Sequence, residues 1–174
     1  WYDGRPFMET TLNNGFLKAD NCQDMQFYLM WANHNVGNTW DTRLYDKNED
    51  NIIWRGETDR EEFEKICKRN IEKYFKQPNY YKIDGKPVFM IYDPNNFIKG
   101  FGSLDAAAEA LQWFRGLVAE KGYPGVHLQF CIRGRKNLNL TGIDGTADLS
   151  YAEMLEKFQA DSYTHYQFVQ MTDP

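Results

Sequence analysis

The sequence predicts an α/β fold in which parallel strands alternate with helices. Two observations lead to this prediction. Short apolar runs of strand length lie at residues 25–31, 87–92 and 126–132, and stretches with the 3.6-residue period of amphipathic helices lie between them. The runs are almost continuously hydrophobic, which is typical of parallel strands covered on both faces. This order of elements fits roughly half of a (β/α)8 barrel or most of a doubly wound sheet.

The beginning of the chain is predicted to contain a weak helix and then a strand. Residues 8–17 have a helical pattern, but Asn13, Asn14 and Gly15 interrupt it, and these residue types favour turns. The strand at residues 25–31 follows.

The next helix has the clearest signals. Thr58 and Glu61 have the spacing of a capping box, and apolar residues then recur at helical spacing until Pro78. We therefore expect a helix over residues 59–75, followed by the strand at residues 87–92.

Two more helices are marked by residues at their ends. Ser103 is placed to cap a helix whose end is signalled by Gly122, a residue suited to the left-handed conformation. Ser150 and Glu153 repeat the capping-box spacing and predict a further helix. The remaining strands are expected at residues 126–132, 146–149 and 166–171.

Charge and hydropathy exclude several classes of partner. The chain of 174 residues has 20 Lys plus Arg against 25 Asp plus Glu, a net charge of −5, and it contains no Lys/Arg run of five to eight residues. Binding to nucleic acid or to an anionic membrane surface is therefore disfavoured. No apolar run approaches the ~20 residues of a membrane-spanning helix.

No cofactor or metal is predicted. The three cysteines are widely spaced and lack a C-x-x-C pair, so we expect them to be buried thiols: Cys22, Cys67 and Cys131. The three histidines are scattered without a metal-binding spacing: His34, His127 and His165. Gly100 and Gly102 lack the third glycine of a dinucleotide-binding loop.

One stretch resembles a calcium loop in spacing. Asp46, Asn48, Asp50 and Glu57 fall at positions that supply ligands in an EF-hand. Asn51 stands where that loop needs glycine, and the preceding residues do not form a helix pattern. We therefore interpret these residues as a solvated acidic turn.

The candidate ligand site lies in the loop at residues 32–57. This loop has about 26 residues where about 2–6 are usual, and such an excess is typical of functional loops. It follows a strand, and ligands of parallel α/β folds bind at the carboxyl ends of the strands. Indole rings beside carboxamides and a carboxylate suit a sugar, which has apolar faces and many hydroxyls.

The predicted substrate-binding residues lie at the ends of three strands, except Gln129, which lies within the strand at residues 126–132. From the first strand and its loop they are Trp31, Asn33, His34, Trp40 and Asp41; from the other two they are Tyr92, Asp93, Gln129 and Arg133. Two simpler interpretations stay open. Trp31 could be a core anchor, and Asp93, which precedes Pro94, could begin a turn.

Several segments together resemble the WbsX-like proteins. They are residues 27–35 (FYLMWANHN), Trp40 with Asp41, residues 75–92 (FKQPNYYKIDGKPVFMIY) and residues 122–125 (GYPG). These proteins are described as glycosyltransferases and grouped with glycoside hydrolase family 99, whose members are barrel enzymes of the endo-α-mannosidase type. The resemblance spans about residues 1–150.

The resemblance implies a partial TIM barrel, a (β/α)8 fold in which residues 25–31 are an early-middle strand and Trp1 and Tyr2 end the strand before it. Because a complete barrel typically needs about 250 residues, residues 1–174 are expected to be a single segment of a larger catalytic domain. The remainder of that barrel would then be a partner of this chain.

The resemblance also implies that the catalytic residues lie elsewhere. Members of the family usually have the sequence W-A-N-E, whereas residues 31–34 of this chain read W-A-N-H, so His34 replaces the glutamate. The N-E-W-x-E motif expected late in the family's sequences is absent from this chain. Glycoside cleavage normally needs two carboxylic acids. Only Asp41, Glu57 and Asp93 are loop acids at strand ends, and we assign none of them a catalytic role.

The predicted function is therefore that of a segment of a carbohydrate-active enzyme. A glycoside hydrolase acting on a complex glycan or polysaccharide is the first hypothesis, with this chain supplying substrate-binding subsites, and a periplasmic or secreted location would suit it. A glycosyltransferase of polysaccharide biosynthesis, which would be cytoplasmic, is an alternative, although no diphosphate-binding motif is visible. The second alternative is a non-catalytic carbohydrate-binding module.

Overall fold

The computed structural model describes residues 4–38, 52–132, 138 and 140–167. Their strands are β1 (Leu29–Trp31), β2 (Val36–Gly37), β3 (Ile52–Trp54), β4 (Lys82–Ile83), β5 (Lys86–Ile91), β6 (His127–Ile132) and β7 (Ser162–His165). Their α-helices are α1 (Arg60–Asn70), α2 (Pro94–Phe101), α3 (Leu104–Glu120) and α4 (Tyr151–Lys157). Shorter helical turns lie at Thr11–Gly15, Phe16–Lys18, Cys22–Asp24 and Ile71–Phe75.

The main sheet is parallel and its strand order follows the chain. β1 pairs with β5, β5 with β6 and β6 with β7, and each of these pairs is parallel. Helices lie between successive members, as parallel crossovers require. β4 is added antiparallel to β5, and β2 and β3 form a separate antiparallel pair. The predicted mixed α/β fold with a parallel sheet is confirmed.

The two faces of the sheet differ in their cover because successive side chains of a strand point to opposite faces. Phe89, Ile91 and Phe130 belong to the main core, which also contains buried residues of all four helices. Met90, Tyr92 and Cys131 alternate with them and form a small cluster that contains no helix residue. The helices therefore cover one face of the sheet.

The predicted helix ends are largely confirmed. Ser103 Oγ accepts a hydrogen bond from Ala106 N at 3.1 Å and caps α3. Ser150 and Glu153 form a complete capping box at the start of α4. At α1 the cap lies one residue later than predicted, because Asp59 accepts from Glu62 N at 2.9 Å. The predicted helix over residues 59–75 is α1 followed by the wider turn at Ile71–Phe75.

Several strand and helix predictions need correction. The helix at residues 8–17 is replaced by two short turns around Asn13, Asn14 and Gly15. The strand at residues 25–31 shortens to β1, because its first residues are solvent-exposed and make only an isolated bridge. The chain at residues 146–149 turns instead of forming a strand.

The last strand lies earlier than predicted. β7 ends at His165, whereas the sequence indicated residues 166–171, and residues 168–171 lie outside the described part of the chain. The expectation that the first strand is covered on both faces is also wrong, because Tyr28 and Met30 are 41% and 48% exposed.

None of the helices in the described residues has the length and apolar character needed to cross a membrane.

Candidate functional site

The ends of β1 and β5 meet at the carboxyl edge of the sheet and are held there by one side chain. Asn33, two residues beyond β1, is fully buried. Its Nδ2 donates to the carbonyl oxygen of Asp93 at 2.7 Å, and its Oδ1 accepts from the backbone N–H of Asp93 at 2.7 Å. Asn33 therefore joins the two strand ends from which candidate site residues extend.

A second asparagine extends this hydrogen-bond network. Asn96 Nδ2 donates to Asn33 O at 3.0 Å and to Asn35 Oδ1 at 3.3 Å. Asn35 Oδ1 also accepts from Gly56 N at 2.8 Å. A Cβ atom at Gly56 would lie 2.3 Å from Asn33 O, so only glycine fits there. The segments on either side of residues 39–51 are thus fixed to the same point of the sheet.

An aromatic row crosses the same edge. The ring centroids of His34 and Tyr92 are 5.3 Å apart at an interplanar angle of 63°. Tyr92 and Tyr166 follow at 5.4 Å and 85°. Tyr92 is buried, whereas Tyr166 is 52% exposed. Tyr166 N donates to Ile132 O at 3.4 Å, which continues the pairing of β7 with β6 beyond its last regular residue. We call His34, Tyr92 and Tyr166 the aromatic row.

A row of polar side chains lies on the sheet face that the helices leave uncovered, farther from the carboxyl edge than the aromatic row. Tyr28 OH donates to Gln129 Oε1 at 3.3 Å, and Gln129 Nε2 donates to Ser162 Oγ at 3.1 Å. His127 Nε2 lies 2.8 Å from the same Ser162 Oγ. Gln129 and Ser162 are in register across β6 and β7. The predicted site residue Gln129 therefore lies in a hydrogen-bonded row made by Tyr28, immediately before β1, and by side chains of β6 and β7.

Trp31 occupies the core side of β1. Its ring stacks on Phe63 at 5.9 Å and 27° and meets Phe97 edge-on at 6.2 Å, and only 6% of the residue is exposed. Of the two interpretations of Trp31 that the sequence allows, a sugar-binding ring or a core residue, this packing agrees with the core residue. Trp31 also lines a cavity of about 530 Å³ beside β1.

Asp93 has a structural task at the site. Its Oδ1 accepts from Asn96 N at 3.1 Å and caps α2, whose first residue is Pro94. This agrees with the second interpretation of Asp93, the beginning of a turn before Pro94.

The described structure brings together only some of the predicted site residues. The adjoining ones are Asn33, His34, Tyr92 and Asp93; Gln129 lies deeper on the sheet, and Trp40, Asp41 and Arg133 lie outside the described residues. The sequence reasoning missed Tyr166, Tyr28 and Ser162. A tyrosine immediately after a strand is a sequence signal that fits Tyr166, but the sequence predicts the last strand at residues 166–171, which includes Tyr166, whereas β7 ends at His165.

The phenol of Tyr80 ties β1 to β5 below the edge. Its OH donates to Val88 O at 2.7 Å and accepts from Leu29 N at 3.1 Å. Burial raises the pKa of Tyr80 well above its ordinary value, so this phenol stays neutral and keeps donating.

Within the described residues, no three His, Cys, Asp or Glu side chains come together as a metal site.

One comparison with known proteins gives a match. The model of the family described as glycosyltransferase WbsX matches residues 1–173. No curated protein and no solved structure matches the chain.

Proposed function

This chain belongs to the glycosyltransferase WbsX family, and from that premise we propose that it supplies the saccharide-binding subsites of a carbohydrate-active enzyme. The proposed cleft lies at the carboxyl edge of the sheet. The observation that carries the proposal is the aromatic row of His34, Tyr92 and Tyr166 beside the joined ends of β1 and β5. Ligands of parallel α/β folds bind at this edge.

The chemistry of the row suits a sugar ring. A tyrosine has an apolar face that stacks on the C–H face of a pyranose and a hydroxyl that bonds its oxygens. The exposed Tyr166 offers such a face, and His34 adds a nitrogen that donates or accepts according to its tautomer. Trp40, Asp41 and Arg133 belong to segments that follow the carboxyl ends of β1 and β6, and they stay proposed members of the cleft.

We propose that the fold is a segment of a (β/α)8 barrel, with residues 1–174 as part of one catalytic domain. Two features support this. The order β1, β5, β6, β7 follows the chain without the reversal that defines a doubly wound sheet, at least among the described strands. Among the described residues the helices lie on one face of the sheet only, as they do in a barrel, whose outer ring of helices covers one face of the strands.

Glycoside hydrolysis is the reaction that we propose first. The two carboxylic acids that it needs would come from another part of the enzyme, because Asp93 is occupied in capping α2 and the family's expected carboxylate motif is absent from this sequence. The family description favours a second candidate, transfer from an activated sugar, which requires a site for a nucleoside diphosphate.

A glycan-binding experiment tests the proposal. The purified chain is screened on a glycan array, and the best ligand is titrated into the parent chain and into the variants His34→Ala and Trp40→Ala. We expect each variant to bind about tenfold more weakly, as for a central contact residue. Absence of any glycan binding, or unchanged affinity in both variants, would overturn the proposed cleft. Competition by UDP or GDP would favour the transferase over the hydrolase.

A further inference from the structure

The edge of β1 that faces away from β5 is open. Trp31 O accepts from Tyr92 N at 3.1 Å, so the peptide groups of Trp31 face β5. Because successive residues of a strand direct their N–H and C=O groups to opposite sides, those of Met30 point to the other edge. Among the described strands, β1 pairs with β5 alone. The N–H and C=O of Met30 are therefore placed to pair with a further strand.

The sequence of β1 is not that of an outer strand. Exposed edges are usually protected by charged side chains, by proline or by a bulge, which prevent pairing with another chain. Residues 27–32 read FYLMWA, without a charge or a proline, and β1 pairs with β5 without a register shift. Such a continuously apolar run is typical of an inner strand of a parallel sheet. The edge therefore lacks the features that would keep another strand away.

The cavity beside β1 runs along this open edge. It has a volume of about 530 Å³ and is lined on one side by four successive residues, 29–32. Four strand residues extend over about 13 Å, and neighbouring strands lie about 4.8 Å apart. Leu12, Ile66 and Tyr74 border the cavity as well. A strand beside β1 would therefore direct apolar side chains toward α1.

The chain before β1 runs from the carboxyl edge of the sheet to its amino edge. The ring centroids of Phe7 and Trp54 are 5.1 Å apart, and Trp54 ends β3, which pairs with β2 just beyond the carboxyl end of β1. At the other edge, Asn79, which precedes β4 and β5, donates from Nδ2 to Cys22 O at 2.7 Å. Between these contacts, Leu12 packs against the main core. The segment thus runs opposite to the strands over the helix face, as a crossover between two parallel strands does.

A crossover that begins at the carboxyl edge continues from the carboxyl end of a strand. The order β1, β5, β6, β7 follows the chain, so the strand before this crossover belongs at the open edge of β1. We infer that this edge pairs with a parallel, apolar strand of the same enzyme, contributed by the chain that precedes Gly4. The inference rests on the proposed function, and it places Asn33 and His34 inside the saccharide cleft instead of at its rim.

Photo-crosslinking in the full-length enzyme identifies the strand. A diazirine amino acid is introduced in place of Met30, whose side chain is 48% exposed and in register with Met90 of β5. Because neighbouring strands lie about 4.8 Å apart, crosslinks to β5 are an internal control. We expect mass spectrometry to find a second set of crosslinks, to residues that precede Gly4. Crosslinks to β5 alone, to another part of the enzyme or between two copies would overturn the inference.

A pair of variants of the full-length enzyme tests the backbone pairing. Met30→Pro removes the side chain and the N–H of residue 30, whereas the control Met30→Ala removes only the side chain. Proline inside a sheet removes a ladder hydrogen bond but is tolerated at an edge. We therefore expect Met30→Pro to melt at least about 3 °C below Met30→Ala. Equal melting temperatures would show an unpaired edge and overturn the inference. If Met30→Pro does not fold, the crosslinks decide.

Neither readout involves a glycan, so the outcomes separate this inference from the proposed function. Crosslinks to residues before Gly4, together with failure of every glycan to bind in the array experiment, would support the strand and overturn the proposed cleft. Glycan binding together with crosslinks to β5 alone would overturn the strand and leave the proposed subsites in place.

Discussion

Asn33 and Asp93 are joined by two reciprocal hydrogen bonds, both 2.7 Å long, although sixty residues separate them in the chain. The side-chain amide of Asn33 takes the place that a further backbone pairing would have between β1 and β5. This amide accepts from the N–H of Asp93 and donates to its C=O, which also accepts from Phe97 N in α2. The ends of β1 and β5 are therefore fixed to each other and to the start of α2.

Replacing Asn33 by alanine should destabilise the fold strongly. The substitution removes two hydrogen bonds and leaves the N–H and C=O of Asp93 without these partners, so we expect a loss of about 3 kcal/mol in the free energy of unfolding. Urea denaturation measures it. Asn21→Ala is the control, because the Asn21 side chain is exposed and caps nothing. A loss no greater than that of the control would contradict the structural role of Asn33.

Two helical glycines should respond to alanine in opposite directions. In α2 a Cβ atom at Gly100 would lie 2.1 Å from Thr58 O, whereas in α3 a Cβ at Gly116 meets nothing within 4 Å. Gly100→Ala should therefore cost about 2 kcal/mol or more, and Gly116→Ala should stabilise the protein by about 0.5–1 kcal/mol. Thermal unfolding compares them. Similar melting temperatures would contradict the close approach of α2 to residue 58.

The ion pair of Glu9 and Arg69 should make stability depend on pH in the acid range. Burial alone would raise the pKa of Glu9, but hydrogen bonds from Arg69 and Asn13 and the charges of Arg69 and Lys73 hold it below its ordinary value. A carboxylate with a lowered pKa stabilises the fold above its unfolded pKa, and that stability is lost as the pH falls through the folded value.

Glu9→Gln should therefore cost about 1 kcal/mol near neutral pH, and the difference from the parent chain should shrink below the ordinary glutamate pKa of 4.5. Urea denaturation at several pH values measures it. Glu72→Gln is the control, since Glu72 is exposed. A difference that stays constant down to about pH 3 would show that the charge of Glu9 is not its source.

The helix caps show which parts of the fold could be predicted from the sequence. Ser150 and Glu153 are three residues apart, and the side chain of each accepts a hydrogen bond from the backbone N–H of the other. Because this capping box needs only residues that are close in the chain, the sequence predicts it, and the prediction is confirmed. Helix α2 was missed although Asp93, Pro94 and Gly102 are its cap, first residue and left-handed end. It is short, and the same residues also occur in turns.

The site depends on contacts that no local pattern contains. Trp31 ends a strand-like run, but only the packing of α1 and α2 buries its ring against Phe63 and Phe97. Tyr166 becomes part of a row only because β7 pairs with β6 and brings it beside Tyr92. A sequence predicts which residues end strands, and the sheet order decides which of those ends meet.

Tyr166 should contribute to saccharide binding where its neighbour Tyr163 does not. Both side chains are about half exposed, at 52% and 59%. Tyr166 contacts Tyr92 at the candidate cleft, whereas Tyr163 is in register with Phe130 on the opposite face of the sheet and meets His165. We expect Tyr166→Ala to weaken binding of the best array ligand by about 1 kcal/mol or more, and Tyr163→Ala to leave it unchanged. Tyr166→Phe should retain most of the affinity if the ring face makes the contact. Equal losses in Tyr166→Ala and Tyr163→Ala, measured by calorimetry on variants with unchanged unfolding curves, would place the sugar away from the aromatic row.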